Sequence, residues 1–407
     1  AVVGGGYQNT ASEYTATVAG GFCNTASGRR STIAGGQSNT ASGACSTVAG
    51  GRSNTSSGCY STVGGGTSNT SSGGYSTIAG GAYNVASVGY AVVAGGQGNK
   101  ACACRTFVGG GQNNTASNYN SAVVGGCLNT ASAYVAFVGG GKCNIATANS
   151  STVSGGYKNT ASAINSTVSG GYLNTASNNR SIVGGGQGNT ASGACSTVAG
   201  GLSNTASVGI STVGGGKGNT ASGYGSTISG GYCNNALTNP YGTVSGGYRN
   251  CTLAYAGTIS GGYRNCIGVS CYGQFIGGGS SNYICHSSGG TNATFAVIVG
   301  GSGNNTTGGT WNGLKFTVAP TVCNAGYYSF IGGGFQNRAT GNYSTISNGY
   351  KNVTTGNAST ISGGYTNTAS GACSFVGGGQ SNTASGCASA IAGGASNTAS
   401  SRMGFAV

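Results

Sequence analysis

The stretch Ser31-Thr32-Ile33-Ala34-Gly35-Gly36-Gln37-Ser38-Asn39-Thr40-Ala41-Ser42-Gly43-Ala44-Cys45 is followed at once by Ser46-Thr47-Val48-Ala49-Gly50-Gly51-Arg52-Ser53-Asn54-Thr55-Ser56-Ser57-Gly58-Cys59-Tyr60, the same pattern displaced by 15 residues. Such a period decides the fold before chain length does, because repeats overturn any count of domains from 407 residues. With the aliphatic residue placed at position 3 of a coil, anchors run Val3, Val18, Ile33, Val48 and onward to Ile228 in unbroken steps of 15. They continue less evenly at Val244, Ile259, Ile276, Val299, Val318, Ile331, Ile346, Ile361, Val376 and Ile391. Six residues after each anchor sits an Asn: Asn9, Asn24, Asn39, Asn54 and so on, through Asn305 and Asn324 in the uneven part, to Asn397. The expected count is 26 coils, with Thr317-Val318-Ala319 read as a coil despite Pro320.

A helix does not suit this pattern, since interior Gly costs about 1 kcal/mol each and Thr, Val and Ile dominate. Two short strands per coil suit it better, at positions 1 to 4 and 9 to 12, with turns at 5 to 8 and 13 to 15 where Gly permits positive φ. The expected fold is all-β, a single-chain β-solenoid or β-roll of about 26 coils. Coils stacked at about 4.8 Å would make a rod of roughly 125 Å. Position 3 then forms an aliphatic core stripe beside small residues at position 1, and position 9 forms an asparagine ladder, each amide oxygen accepting from the next NH₂. One continuous domain is expected, regular over 1–275, irregular with lateral loops over 276–330, and regular again over 331–407.

Composition narrows the function. Lys and Arg total 15 against one acid, Glu13, for a net charge of +14. The cations are dispersed, mostly in turns (Arg30, Arg52, Arg105, Lys142, Lys158, Arg180, Lys217), and no nucleic-acid module is recognisable. Diffuse attraction to anionic polysaccharide or a cell surface fits better than specific nucleic-acid binding. No apolar run approaches twenty residues, so no membrane span is expected. The chain begins inside a repeat without Met or signal peptide, which suits a processed mature product.

Ser31-Thr32-Ile33-Ala34-Gly35 and Thr40-Ala41-Ser42-Gly43 resemble the head repeats of trimeric autotransporter adhesins, the YadA-type left-handed β-roll, and related fibre proteins. The resemblance covers most of the chain and implies homotrimers displayed on a surface.

Sixteen cysteines in such a chain point to an oxidising, extracellular or cell- or virion-surface location. Cys45 with Cys59, and Cys373 with Cys387, share a one-coil, one-residue offset that places them about 5.8 Å apart, near the disulfide mode. Cys127 with Cys143 repeats the offset, and Cys251 with Cys266 share position 10 of consecutive coils. These are candidate coil-to-coil disulfides, free thiols being the alternative. Cys195 lacks a neighbour and suits a bond between chains. Cys102-Ala103-Cys104 and Cys285-His286 lack a second ligand pair, so no metal or other cofactor is expected. Paired-carboxylate and Ser-His-Asp chemistry both fail with one Glu and no Asp, which argues against an enzyme.

Asn282 to Tyr328 should bulge, and it carries His286, Trp311 and Lys315 as a candidate contact loop or, alternatively, as an insertion packed on the rod. Tyr recurs at position 7 (Tyr157 and Tyr172; Tyr232, Tyr248 and Tyr263; Tyr350 and Tyr365), where stacking stiffens the rod or offers a sugar platform. Sequons include Asn54, Asn149, Asn165, Asn179 and Asn342. Neither end carries a cap: Ala1-Val2-Val3 and Phe405-Ala406-Val407 are both strand-like and suit head-to-tail growth. The leading expectation is therefore an extracellular structural fibre that assembles with itself, with adhesive duty. A trimeric adhesin or virion-fibre shaft is the alternative, and an ice-binding protein using the Thr and Ser of positions 10 and 12 is a second.

Overall fold

The computed structural model describes residues 1–269, 272–285, 293–312, 316–318 and 321–407, and among these every regular element is a strand. Each coil contributes two strands of two residues, exemplified by Thr32–Ile33 and Thr40–Ala41, shorter than the four-residue segments the sequence suggests. Each pairs in parallel with its equivalent one coil on, Thr32 opposite Thr47 and Thr40 opposite Thr55. The backbone bonds follow suit: Thr32 N–H donates to Ser46 O at 2.9 Å and Thr40 N–H to Asn54 O at 2.8 Å. A third ladder, at position 7, joins Gln37 to Arg52 and recurs along the coils. There the sequence shows only a turn.

The turns explain both the glycines and their absence. Gly36 has φ +93°, and a Cβ there would lie 2.2 Å from Gly51 O, so this corner admits no side chain. Positions 8 and 15 adopt the same left-handed backbone with ordinary residues, such as Ser53 (φ 57°) and Tyr60 (φ 59°). That conformation costs on the order of 1 kcal/mol or more. It is held because Ser53 N–H donates to Gln37 O at 2.9 Å and Tyr60 N–H to Ala44 O at 2.8 Å.

Alternation along each strand fills a narrow interior. Val or Ile of position 3, Ala of position 11, Ser or Ala of position 1 and Asn of position 9 are buried, as at Ile33, Ala41, Ser46 and Asn39. Where position 11 is Ser, its hydroxyl meets the Ser of position 1: Ser56 Oγ lies 2.7 Å from Ser61 Oγ. Where it is Ala, the Oγ of Ser31 and of Ser46 has no partner.

Two compact units divide the chain, Ala1–Cys195 and Ser196–Val407. In the first, both ladders advance in unbroken steps of 15, from Val2–Val3 opposite Thr17–Val18 to Thr167–Val168 opposite Ile182–Val183. The second is less even. Its first ladder runs through Ile259, Ile276, Ile298, Ile331 and Ile346, and the described residues hold 26 strands of the first kind, counting Phe405–Ala406.

Three expectations about this uneven stretch need correction. Ile298, 1% exposed, is the anchor; Val299, expected to be, points outward at 49% exposure, because alternation fixes which of two adjacent residues is inside. Asn304, one residue before the expected Asn305, takes the ladder position. Thr317-Val318-Ala319 is not a coil: Val318 pairs antiparallel with Thr310 and is 59% exposed, while Ala319 and Pro320 lie outside the described residues. The chain instead leaves the coil at Asn305 as an antiparallel arm. Thr306–Thr307 pair with Thr321–Val322 at its base and Thr310–Trp311 with Phe316–Val318 further out. Cys323 N–H donates to Asn305 O at 2.8 Å and closes the neck; Ala325, 2% exposed, re-enters the interior.

Candidate functional site

The interior ladder is built from asparagine, and its geometry differs from an amide-to-amide chain. Asn9 Oδ1 accepts the backbone N–H of Asn24 at 3.0 Å, and Asn39 Oδ1 that of Asn54 at 2.9 Å. The NH₂ group turns to the backbone too: Asn54 Nδ2 donates to Gly50 O at 3.0 Å in its own coil and Gly66 O at 2.9 Å in the next. Each side chain thus satisfies the carbonyl of its own glycine corner and adds a second donor to that of the next, where Gly66 O already accepts Arg52 N–H at 2.8 Å. At Asn69 the NH₂ also reaches the preceding amide oxygen, Asn54 Oδ1 at 3.1 Å. In the second unit the ladder steps from Asn282 to Asn304 and directly to Asn337, so Asn324 is not one of its rungs. Asn397, the last rung described, donates to Gly393 O and Val407 O, each at 3.0 Å.

The outward faces repeat as regularly. Tyr157 and Tyr172 stack at 5.4 Å, Tyr232 on Tyr248 and Tyr248 on Tyr263 at 5.1 Å, and Tyr350 on Tyr365 at 4.8 Å. A relationship the sequence reading missed is the cation that follows. Lys158, Arg249, Arg264 and Lys351, each one residue after a position-7 Tyr, lie over that ring at 5.2, 5.2, 5.1 and 5.0 Å. Adjacent positions 7 and 8, a Tyr and then a cation, were the available signal. A second stack, Tyr60, Tyr75 and Tyr90, occupies position 15 at 4.9 and 5.1 Å. The Thr rank of position 10 also faces outward, interrupted by Val85, Lys100 and Ile145 in the first unit and more often in the second, as at Asn235, Cys251, Cys266 and Arg338.

The fifteen described cysteines are free thiols. Cys251 and Cys266 stand directly opposite each other in parallel strands. A hydrogen bond between them lowers Cys251 and raises Cys266, with burial opposing the first shift and adding to the second. Cys143 N–H donates to Cys127 O at 2.9 Å, so this pair sits one residue out of register. Cys45 and Cys59, and Cys373 and Cys387, lie on consecutive turns, with Cys59, Cys373 and Cys387 exposed. Cys195 is exposed as well. Cys285, which the sequence reading left unpaired, neighbours Cys323 of the arm's neck, and burial first and Cys323 second push its thiol up.

Among the sequons, Asn149, Asn165 and Asn179 are exposed on adjacent turns, whereas Asn54 is a fully buried ladder rung and its sequon is inaccessible in the folded chain. Of the candidate contact loop, His286 and Lys315 lie outside the described residues, and Trp311 belongs to the outer strand pair of the arm. Val2–Val3 pairs with Thr17–Val18, and Phe405–Ala406 with Ala390–Ile391; Ala1, Val2, Val3, Phe405 and Val407 are all exposed.

No helix among the described residues is long and apolar enough to cross a membrane, and none of their His, Cys, Asp and Glu groups forms a metal-binding cluster of three or more. These features define an all-β solenoid of about 26 coils that repeats one interior of aliphatic residues, small residues and asparagine. Residues 16–28 match the family model described as Ubiquitous surface protein adhesin repeat, a likeness to the repeats of trimeric autotransporter adhesins. No curated protein matches the chain.

Proposed function

We propose that the chain is a structural protein of a cell or virion surface, not an enzyme, whose solenoid associates with further copies of itself into a filament and makes adhesive contacts along its length. The observation that carries this reading is the in-register repetition of outward side chains, Thr ranks and Tyr stacks alike, which gives a partner similar contacts over runs of consecutive coils. Multiplied weak contacts of this kind yield avidity without any single deep pocket. The adhesin-repeat likeness at residues 16–28 supports surface display.

Electron microscopy of the purified chain tests the assembly. Filaments that lengthen with protein concentration are expected. Discrete particles of three chains would overturn self-assembly and favour the head region of a trimeric adhesin instead.

A further inference from the structure

In the second unit, the base of the antiparallel arm and the coils beneath it enclose a cleft of about 190 Å³, walled by Thr306 and Thr307 of the arm and by Gln336, Arg338, Lys351 and Val353. Arg338 occupies position 10, where most coils carry Thr, and stands opposite Val353 in the parallel ladder. Gln336, 5% exposed, donates from Nε2 to Gly308 O and ties the arm to the coil. The cleft is thus a built feature of the neck, not a gap beside a loose loop.

Its charge is unbalanced. The Nε of Arg338 is buried without a hydrogen-bond partner. An N–H buried without an acceptor is costly, and a ligand oxygen that accepts from it removes that cost. Lys351 supplies a second cation to the same cleft, its Nζ 5.0 Å from the Tyr350 ring centre. The sole acidic side chain, Glu13, belongs to the other unit, so residues 196–407 contain no Asp or Glu to answer either cation.

We propose that this cleft binds an oxyanion, the carboxylate or sulfate group of an acidic polysaccharide, between Arg338 and Lys351. The guanidinium offers planar, paired donors to such a group, and the ammonium adds a point charge. The volume lies below the 300–1,000 Å³ or so of pockets that engulf whole ligands, so one acidic sugar enters and the rest of the polymer stays in solvent. The site goes beyond self-assembly and does not depend on it, since every residue belongs to one unit of one chain.

The test is calorimetric titration of the full chain, at about 0.15 M ionic strength, with a heparin-derived hexasaccharide, a galacturonate hexamer and inorganic sulfate. Arg338→Thr restores the residue usual at position 10 and so preserves the coil; Lys351→Ser probes the second cation independently of Arg338. Arg402→Ser removes one exposed charge elsewhere. At least one hexasaccharide should bind, weakened about tenfold or more by Arg338→Thr and by Lys351→Ser, but less than about twofold by Arg402→Ser. Equal weakening by all three substitutions would reduce the effect to diffuse charge and overturn the site. So would binding of none of the three ligands. Binding of sulfate alone would leave an ion site and overturn the polysaccharide assignment.

Discussion

Asn39 accepts the backbone N–H of Asn54 on its Oδ1 at 2.9 Å, and its Nδ2 donates to Gly35 O at 3.0 Å and Gly51 O at 2.9 Å. One side chain therefore closes the glycine corner of its own coil and binds the corner of the next. The glycine makes that approach feasible, because a Cβ on Gly36 would sit 2.6 Å from Asn39 Nδ2 as well as 2.2 Å from Gly51 O. Asparagine and glycine form one device.

Gly36→Ala should accordingly destabilise the coil by more than about 2 kcal/mol, through positive φ and backbone collision together. Gly35→Ala, whose Cβ would meet nothing within 4 Å, should change stability by less than about 0.5 kcal/mol. Thermal unfolding followed by circular dichroism separates the two, and equal midpoints would remove the corner argument.

The interior serines divide into two groups. Ser46→Ala should be neutral or stabilising, since its Oγ is buried with no partner. Ser61→Ala should cost about 1 kcal/mol or more, because Ser61 Oγ donates to Gly58 O at 2.8 Å and meets Ser56 Oγ at 2.7 Å. Chemical denaturation of the two variants in parallel reads the difference, and the reverse order would contradict it.

How much of this was legible in sequence follows from what spacing encodes. Ile33 with Val48, and Asn39 with Asn54, share one period, so anchor, ladder and coil were readable. Spacing does not encode which of two neighbours points inward. Val297-Ile298-Val299 and Asn304-Asn305 both offer adjacent candidates, and only pairing of Ile298 with Ile331 settles the choice. Val318 stands six residues before Asn324 and so mimics an anchor, yet its strand runs antiparallel in an arm that leaves and re-enters between Asn305 and Cys323. The donors of the ladder were misassigned for a related reason: the nearest carbonyls belong to glycine corners whose approach a linear pattern does not reveal. Arg338 is visible in sequence as a departure from Thr, but the arm that roofs it is not.

Cys251 and Cys266, opposed in register, are separated by about one strand spacing, within the range a disulfide spans. Glutathione disulfide should convert the two thiols to one disulfide, releasing two equivalents of glutathione. Because the hydrogen bond from Cys266 lowers Cys251, the rate should reach half its plateau at a lower pH than the value found for free cysteine under the same conditions. Peptide mapping under non-reducing conditions against pH checks this; a midpoint at or above that value would contradict the thiol pairing.

Expressed in a host with N-glycosylation, the folded chain should carry glycans on some of Asn149, Asn165 and Asn179, which are exposed in turns. Asn54 should carry none, since it is buried and fully bonded. Site-resolved mass spectrometry distinguishes them, and occupancy at Asn54 in folded protein would contradict the ladder.

The central claim is that the buried asparagine holds one coil to the next, and Asn159 tests it most directly. Its Oδ1 accepts Asn174 N–H at 2.9 Å, and its Nδ2 donates to Gly155 O at 2.9 Å and Gly171 O at 2.8 Å. Hydrogen exchange should show the Asn174 amide losing protection by about tenfold or more in Asn159→Ala, and little change in Thr160→Ala, which alters only the outward neighbour. Equal protection of Asn174 in the two variants would contradict the account.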